Sequence, residues 1–229
     1  MVMIRNRRLG GSERTAYTIG MTTRVGLYGG SFDPIHFGHL IVVRSLAERL
    51  GLERVVFLPS ARPPHKEDRT LAPAAERAEM VRLAIEGEPL FAFSDFDLTR
   101  AGPSYTIDTV THFREQYGPA VELHWIVGAD SLAELATWRR VGELVDVCRI
   151  VTAARTGCEP IDSLGADLRR ALGDDRVAKL RAGVVDTPVI DISSTDVRHR
   201  IRSGQSIRYL VPNAVADYIA CRGVYQGID

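Results

Sequence analysis

Short apolar runs alternate with amphipathic stretches along the chain from Arg24 onward. Runs such as RVGLYG (residues 24–29) and RVVFLP (residues 54–59) are apolar at most positions, which is typical of strands buried on both faces of a sheet. The stretches between such runs repeat apolar residues at helical spacing, which indicates helices with one buried face. The pattern therefore predicts strands and helices in alternation.

The apolar runs and the helical spacings give the bounds of the predicted strands and helices. We predict strands over residues 24–29, 54–59, 91–98, 121–128, 148–154 and 189–192. We predict helices over residues 38–50, 74–86, 104–117, 131–137, 140–145, 161–180, 194–203 and 212–220, with Gly51 as the C-terminal cap of the first. This alternation predicts an α/β fold: a doubly wound, mostly parallel sheet with a small C-terminal helical portion.

Composition excludes several classes of function. Charged residues make up 25% of the 229 residues and the formal net charge is zero, so we expect no binding to nucleic acid or to an anionic membrane. No run approaches the roughly 20 apolar residues that a membrane-spanning helix needs. Cys148, Cys158 and Cys221 are widely spaced and form no metal-type pair, which is typical of a reducing compartment and predicts a cytoplasmic protein.

Residues 1–20 do not share the alternation. They carry four arginines against one acid and lack both hydrophobic periodicity and the apolar core of a secretory signal. We expect a disordered basic extension, followed by a single domain over residues 21–229. A basic arm that docks on a partner is the alternative.

The first predicted strand runs directly into GGSFDPIHFGHL, residues 29–40. Gly29 and Gly30 allow the backbone to turn tightly and to approach a ligand closely. His36 and His39 are three residues apart at the start of a helix, so both imidazoles can face one point beside free N–H groups. Such a site suits charge that builds up on a phosphate.

A second helix start, in ISSTDVR, has similar chemistry. The Ser193 hydroxyl can cap a helix whose third residue is Asp196. The free N–H groups, the hydroxyls of Ser194 and Thr195, and Arg198 then form a second cradle for an anion.

Lys66 is one of two lysines in a chain with 29 basic residues, and it follows Pro63 and Pro64 in the loop after the second strand. The prolines lower the entropic cost of holding a cation in place, so we expect Lys66 to bind a phosphate. A solvated loop lysine is the alternative.

These residues match a known family. GGSFDPIHFGHL strongly resembles the signature of the HxGH nucleotidyltransferases, in the longer form of the bacterial nicotinate-mononucleotide adenylyltransferases. Five further blocks look like that family's blocks, in the same order: LPSARPPHK, GPSYTIDT, GADSLAELATW, ISSTDVR and YLVPNAVADYI. The resemblance implies a Rossmann-like nucleotidyltransferase fold and transfer of AMP from ATP to nicotinate mononucleotide, with release of pyrophosphate, in NAD biosynthesis.

The resemblance also implies roles for the matched positions. The catalytic residues are expected to be His36, His39 and Arg198. The expected ATP-binding residues are Gly29, Gly30, Ser31, Phe32, His36, His39, Gly128, Asp130, Ser194, Thr195 and Arg198. The expected acceptor-binding residues are Lys66, Ser104, Tyr105, Thr106, Trp138 and Arg139; Trp138 can stack on the pyridine ring.

The reaction needs alignment more than proton transfer, because the acceptor phosphate is already a nucleophile at neutral pH. The sequence offers no clustered carboxylates for a resident metal, so we expect Mg²⁺ to arrive with ATP. Two positions depart from the family pattern: Ser31 replaces a frequent Thr, and Arg155-Thr156-Gly157 replaces a frequent Arg-Pro-Gly. The second departure leaves an adenine contact from Arg155 open.

Several alternatives remain. The acceptor can be nicotinamide mononucleotide, whereas the SYTIDT and ATW segments argue against phosphopantetheine and glycerol 3-phosphate. A non-catalytic nucleotide-binding protein is expected to lack one of the three catalytic residues. An NAD-dependent dehydrogenase needs G-x-G-x-x-G and an acid after the second strand, where Pro59 and Ser60 stand instead. The oligomeric state stays open, a homo-oligomer included.

Overall fold

Six strands form a single sheet in the computed structural model, which describes residues 23–62, 71–155 and 165–226. Within these ranges the strands are β1 (Arg24–Gly30), β2 (Arg54–Pro59), β3 (Phe91–Phe93), β4 (Glu122–Gly128), β5 (Arg149–Arg155) and β6 (Val184–Thr187). Their order is β3-β2-β1-β4-β5-β6, and every neighbouring pair is parallel. The predicted parallel α/β sheet is confirmed.

Helices flank the sheet. Their bounds within the described residues are α1 (Phe37–Leu50), α2 (Ala74–Ile85), α3 (Phe96–Thr99), α4 (Thr106–Tyr117), α5 (Ala129–Ala133), α6 (Val141–Val147), α7 (Gly165–Leu172), α8 (Asp174–Ala182), α9 (Ser194–Arg202) and α10 (Asn213–Arg222). A 3₁₀ turn spans Leu135–Thr137. Gly51, at a φ of 62°, ends α1 as predicted. None of the helices described is long and apolar enough to cross a membrane.

Alternate strand side chains enter two hydrophobic clusters, one on each face of the sheet. Val25 and Leu27 of β1 pack with α4, α6, α7 and α8, whereas Val55 and Phe57 of β2 pack with α1, α2 and α10. All four side chains are almost fully buried, and burying a side chain of this kind contributes roughly 1.5–3 kcal/mol. Burial on both faces explains why the strands are apolar at consecutive positions.

The last predicted strand, over residues 189–192, is wrong. These residues have no regular secondary structure, and the strand lies earlier, as β6, paired with β5 from Thr152 opposite Val184 onward. β6 is an edge strand that is only partly buried, so its sequence VVDT lacks a continuous apolar pattern. Pro188 follows β6 directly, and proline cannot donate to a strand ladder.

Other elements also differ from the prediction. The strand predicted over residues 91–98 ends at Phe93, and residues 96–99 form α3. The helix predicted over residues 161–180 is two helices, α7 and α8, separated by Gly173 at a φ of 77°. The expected basic extension, residues 1–20, lies outside the described residues and stays a prediction.

The sheet has a topological switch point between β1 and β4. The chain moves from β1 outward to β2 and β3 on one side, then returns and moves from β4 outward to β5 and β6 on the other. The connections above β1 and β4 therefore diverge and leave a crevice at the carboxyl ends of the two strands. The segment after Gly30 and the segment after Gly128 both border this crevice.

Candidate active site

A cavity of about 270 Å³ lies at the carboxyl ends of β1 and β4. It brings together predicted positions from both substrate sides: Gly29, Gly30, Ser31, Phe32, His39, Ser104, Tyr105, Thr106, Gly128, Trp138 and Arg139. Four other predicted residues do not line it: His36, Ser194, Thr195 and Arg198. Lys66 and the side chains of Asp130 and Arg155 lie outside what the structure describes.

The two glycines at the end of β1 serve a purpose other than the expected tight turn. Both belong to the strand, and neither has a positive φ. A Cβ atom on Gly29 would lie 2.6 Å from Cη2 of Trp125, and one on Gly30 would lie 3.0 Å from Cζ of Phe32. The left-handed backbone occurs instead at Phe32, with a φ of 46°. The glycines thus make room for two aromatic rings beside the cavity.

The two histidines stack on each other. Their ring centroids are 3.7 Å apart, with an interplanar angle of 29°. The backbone N–H of His36 donates to Nδ1 of His39 at 3.2 Å, so the neutral His39 ring carries its proton on Nε2. His39 lines the cavity and lies edge-on to Phe32 at 5.3 Å. His39 can therefore offer an Nε2–H donor to a bound anion.

His36 lies just outside the cavity as the N-cap residue of α1. It is 6% exposed, and burial lowers its pKa to about 4, so the ring is neutral at pH 7. Its Nδ1 has no hydrogen-bond partner among the described residues. A Cβ atom on Gly38 would lie 2.9 Å from this Nδ1, so only glycine lets the ring occupy its position.

The free N–H groups expected at the start of α1 are partly in use. The Phe37 N–H donates to the Leu210 carbonyl oxygen at 2.9 Å, and the His39 N–H donates to that of His36 at 3.0 Å. The segment before α10 thus anchors the start of α1. Fewer free N–H groups therefore remain at this helix start than the sequence indicated.

The start of α9 is built as predicted and docks on the signature segment. The Ser193 hydroxyl accepts from the Asp196 N–H at 3.1 Å, and such a cap contributes about 1 kcal/mol. The Ser194 hydroxyl donates to the Pro34 carbonyl oxygen at 2.9 Å. This bond joins the two helix starts, α1 and α9, although they are far apart in sequence.

Arg198 contacts the same segment through its guanidinium group. Its Nη1 donates to the main-chain oxygen of Asp33 at 2.7 Å and lies 3.5 Å from the Asp33 carboxylate, while Nη2 donates to the Thr195 hydroxyl at 3.3 Å. The Arg198 side chain remains 21% exposed. Arg198 is therefore oriented by the protein while part of its surface stays accessible to a ligand.

One side of the cavity, where acceptor-binding residues were predicted, is formed by the start of α4 and the turn after α5. Thr106 begins α4, whose first N–H groups have no partners within the helix. The Arg139 guanidinium lies over the Tyr105 ring, 4.7 Å from its centroid. Trp138 is half-buried and packs against the core cluster. Flat aromatic surfaces and main-chain donors thus surround one space.

Sequence reasoning missed Asp97, which also lines the cavity. This carboxyl group is 4% exposed and accepts from the Thr109 hydroxyl at 2.7 Å; burial raises its pKa. A strand predicted through residue 98 concealed it. A polar residue soon after a strand's carboxyl end is the signal that points to it.

Arg77 was missed as well. It is 1% exposed, and its guanidinium donates to the carbonyl oxygens of Ser31 at 2.6 Å, Ala61 at 3.4 Å and Ala72 at 2.9 Å. One buried side chain thus fixes the signature segment to both ends of the loop after β2. Nothing in the periodicity of α2 distinguishes it from a solvated arginine.

Among the described residues, no group of three or more histidine, cysteine, aspartate or glutamate side chains can hold a metal ion.

The chain matches the family described as cytidylyltransferase-like over residues 27–200. The probable nicotinate-nucleotide adenylyltransferase of Thermomicrobium roseum is 42% identical over 207 residues, which cover 90% of this chain and 94% of that protein. The protein of the same name from Moorella thermoacetica is 40% identical over 203 residues, covering 89% and 92%. The nicotinic acid mononucleotide adenylyltransferase of Plasmodium falciparum, solved in complex with NaAD, superimposes with a TM-score of 0.67 at 17% identity, over 89% of this chain and 97% of that one.

The parallel sheet and the crevice at its switch point define an α/β nucleotidyltransferase fold. At 17% identity, the likeness to the solved structure establishes the fold. The match over residues 27–200 and the relatives at 40% and 42% identity also establish the family. The chain belongs to the cytidylyltransferase-like family and, within it, to the nicotinate-nucleotide adenylyltransferases.

Proposed function

We propose that the protein transfers AMP from ATP to nicotinate mononucleotide, forming nicotinate adenine dinucleotide and pyrophosphate. One observation carries the assignment of the site. Arg198 of the second helix start is bonded to Asp33 of the signature segment, beside the cavity that His39 lines. Cationic and imidazole donors therefore meet next to a cavity with aromatic walls, as a reaction between two phosphorylated substrates requires.

The phosphate chemistry needs no protein nucleophile. An oxygen of the acceptor phosphate attacks the α-phosphorus of ATP, the bond to the bridging oxygen breaks, and pyrophosphate leaves with its electrons. Negative charge builds up on the α-phosphate oxygens and on the leaving group. We assign stabilisation of this charge to Nε2–H of His39, to His36 and to Arg198.

The protonation state of His36 suits this role. The buried ring is neutral at pH 7 and can donate a hydrogen bond without first being paired to a carboxylate. A phosphate anion beside the ring would stabilise its protonated form and raise its pKa. The His36 ring can therefore become more cationic as negative charge develops on the phosphate during the transfer.

The acceptor is proposed to occupy the cavity. The pyridine ring would stack on Trp138, and its carboxylate would accept from donors around Thr106 and Arg139. Lys66 is proposed to contact a substrate phosphate. Alignment of two polyanions in this way contributes about 7–11 kcal/mol in favourable cases.

ATP is proposed to enter as its magnesium complex. A divalent cation on the triphosphate reduces the repulsion between the two substrates and neutralises the leaving pyrophosphate. Mg²⁺ commonly binds through substrate phosphates and keeps several waters. The free thiols of Cys148 and Cys221 support a location in the cytoplasm, where we propose that the reaction takes place.

One observation favours a second acceptor, nicotinamide mononucleotide. Asp97 places a carboxyl group in the cavity wall, where an ionised form would accept from an amide and repel a carboxylate. The choice between the two acceptors thus depends on one charge.

Pyrophosphate release from MgATP tests both acceptors. We expect release with nicotinate mononucleotide, at a kcat/KM at least tenfold above that with the amide, because the site offers donors to a carboxylate. Greater activity with the amide would transfer the assignment to the second candidate. No release with either mononucleotide would remove the proposed function.

A further inference from the structure

The described chain ends in a turn that returns to the active site. Gly223 ends α10 at a φ of 64°, and the Val224 N–H donates to the Ile219 carbonyl oxygen at 3.1 Å. Tyr225 follows with a φ of 68°, in the left-handed region that costs a bulky residue backbone strain. Its side chain is nevertheless 3% exposed. The ring is thus buried in spite of the backbone strain.

The Tyr225 hydroxyl reaches Asp33 of the signature segment. It donates to Oδ1 of Asp33 at 2.8 Å, across a sequence separation of 192 residues. The same oxygen accepts from the Ala72 N–H at 3.1 Å. Burial and the neighbouring carboxylate raise the pKa of Tyr225, so the hydroxyl stays a donor at neutral pH. Oδ1 of Asp33 is thus held by two donors from distant parts of the chain.

The other carboxylate oxygen of Asp33 faces the arginine assigned to the reaction. Oδ2 has no hydrogen-bond partner within the described residues, and it lies 3.5 Å from Nη1 of Arg198. That separation is longer than a charge-assisted hydrogen bond. Arg198 instead bonds to the main-chain oxygen of Asp33. The carboxylate attracts the guanidinium without fully pairing with it.

We propose that Tyr225 is a positioning residue for the reaction and acts through Asp33 on Arg198. The hydroxyl fixes the orientation of the Asp33 carboxylate, which keeps Oδ2 at a distance from Arg198 and leaves the guanidinium able to bind phosphate oxygens. Without the hydroxyl, the carboxylate turns and forms a closer pair with Arg198. The inference rests on the proposed function, because Arg198 is assigned to the reaction there.

Replacing Tyr225 with Phe tests the inference, since it removes one oxygen and keeps the buried ring. Tyr218→Phe is a matched control: Tyr218, also on the C-terminal side of the chain, donates to the Glu76 carboxylate at 2.7 Å between α10 and α2. Both variants lose a tyrosine–carboxylate hydrogen bond, but only one of these bonds involves the signature segment. Any shared loss of stability is therefore measured by the control.

The expected result is a loss of turnover specific to Tyr225→Phe. We expect its kcat for pyrophosphate release to fall about tenfold, a typical scale for a slightly misplaced catalytic group. The KM for nicotinate mononucleotide should stay within about twofold, because the acceptor contacts are elsewhere in the cavity. In an Asp33→Asn background, Tyr225→Phe should add little. A wild-type kcat for Tyr225→Phe, or an equal loss in Tyr218→Phe, overturns the inference.

A failure of the proposed function can be distinguished from a failure of the inference about Tyr225. If the wild-type protein releases no pyrophosphate with either mononucleotide, the inference is tested by binding of MgATP alone, measured as a rise in Tm. The rise should be smaller in Tyr225→Phe than in Tyr218→Phe, because Arg198 is turned away from the phosphates. Equal rises, or no rise in the wild-type protein, overturn it.

Discussion

The His36 ring stacks on the His39 ring at 3.7 Å, yet only His39 lines the cavity. The His36 backbone also donates to Nδ1 of His39, which leaves Nε2–H as the donor of the second ring. The two imidazoles therefore differ in environment. In the proposed reaction His39 contacts the substrate, and the His36 backbone orients the His39 ring.

Replacing His39 with Ala should reduce kcat by about 10²–10³-fold, the usual loss when one donor to a developing charge is removed. KM values should change much less, since the contact strengthens mainly in the transition state. His199→Ala is the control, because His199 is exposed in the last turn of α9. Pyrophosphate release at saturating substrates measures the effect. Turnover within a few fold of wild type would contradict the assignment of His39.

A methyl group on Gly38 should displace His36. The Cβ atom of Gly38→Ala would lie 2.9 Å from His36 Nδ1, closer than such contacts allow. We expect kcat to fall about tenfold or more, although Ala is about 1 kcal/mol better than Gly inside a helix.

Gly142→Ala is the matched control for this variant. Gly142 is also helical, but the three atoms nearest its added Cβ all belong to the end of the Arg176 side chain, the closest at 3.1 Å. That flexible side chain can move, so activity should stay at the wild-type level and Tm should stay equal or rise. If Gly38→Ala kept full activity, the His36 position would not be critical to turnover.

The buried His36 makes stability depend on pH. Its pKa in the folded protein is about 4, against 6.5 as its ordinary value, so between these values the unfolded chain binds the extra proton. The contribution of the His36 ring to the free energy of unfolding is fully present above pH 6.5 and is lost as pH falls towards 4. This contribution is at most about 3 kcal/mol.

Urea unfolding at pH 7 and pH 5 measures this pH-dependent contribution to stability in the wild-type protein and in His36→Gln. The loss of unfolding free energy on acidification should be smaller in the variant, which has no imidazole at this position. His124 is also buried with a lowered pKa and adds a contribution of the same sign to both proteins. The comparison therefore isolates His36, and equal losses would show that its burial does not control stability.

The sequence predicted the fold because the strands are buried on both faces and therefore read as continuous apolar runs. The prediction failed for β6, where an edge position and Asp186 interrupt that pattern. The spacing of His36 and His39 predicted that both rings can face one point. The structure stacks the two rings, but only His39 lines the cavity. The contacts of Asp33 with Arg198 and Tyr225 were beyond prediction, because they join residues 165 and 192 positions apart.

Asp97 should govern the choice between the two acceptors. Asp97→Asn keeps an oxygen that can accept from the Thr109 hydroxyl and removes only the charge from the cavity wall. We expect the ratio of kcat/KM for nicotinate over nicotinamide mononucleotide to rise by about 5–10-fold, since repulsion between two carboxylates is removed. Asp95→Asn is the control, because Asp95 is exposed two residues earlier.

The pH dependence of the same ratio gives an independent check on Asp97. Burial raises the pKa of Asp97, so in the wild-type protein a growing fraction of the molecules has a protonated Asp97 as pH falls. Protonation removes the repulsion, and the preference for nicotinate mononucleotide should therefore increase towards lower pH. In Asp97→Asn this increase should disappear. A ratio that is unchanged by the substitution and by pH would mean that Asp97 supports the cavity wall through Thr109 without sensing the acceptor's charge.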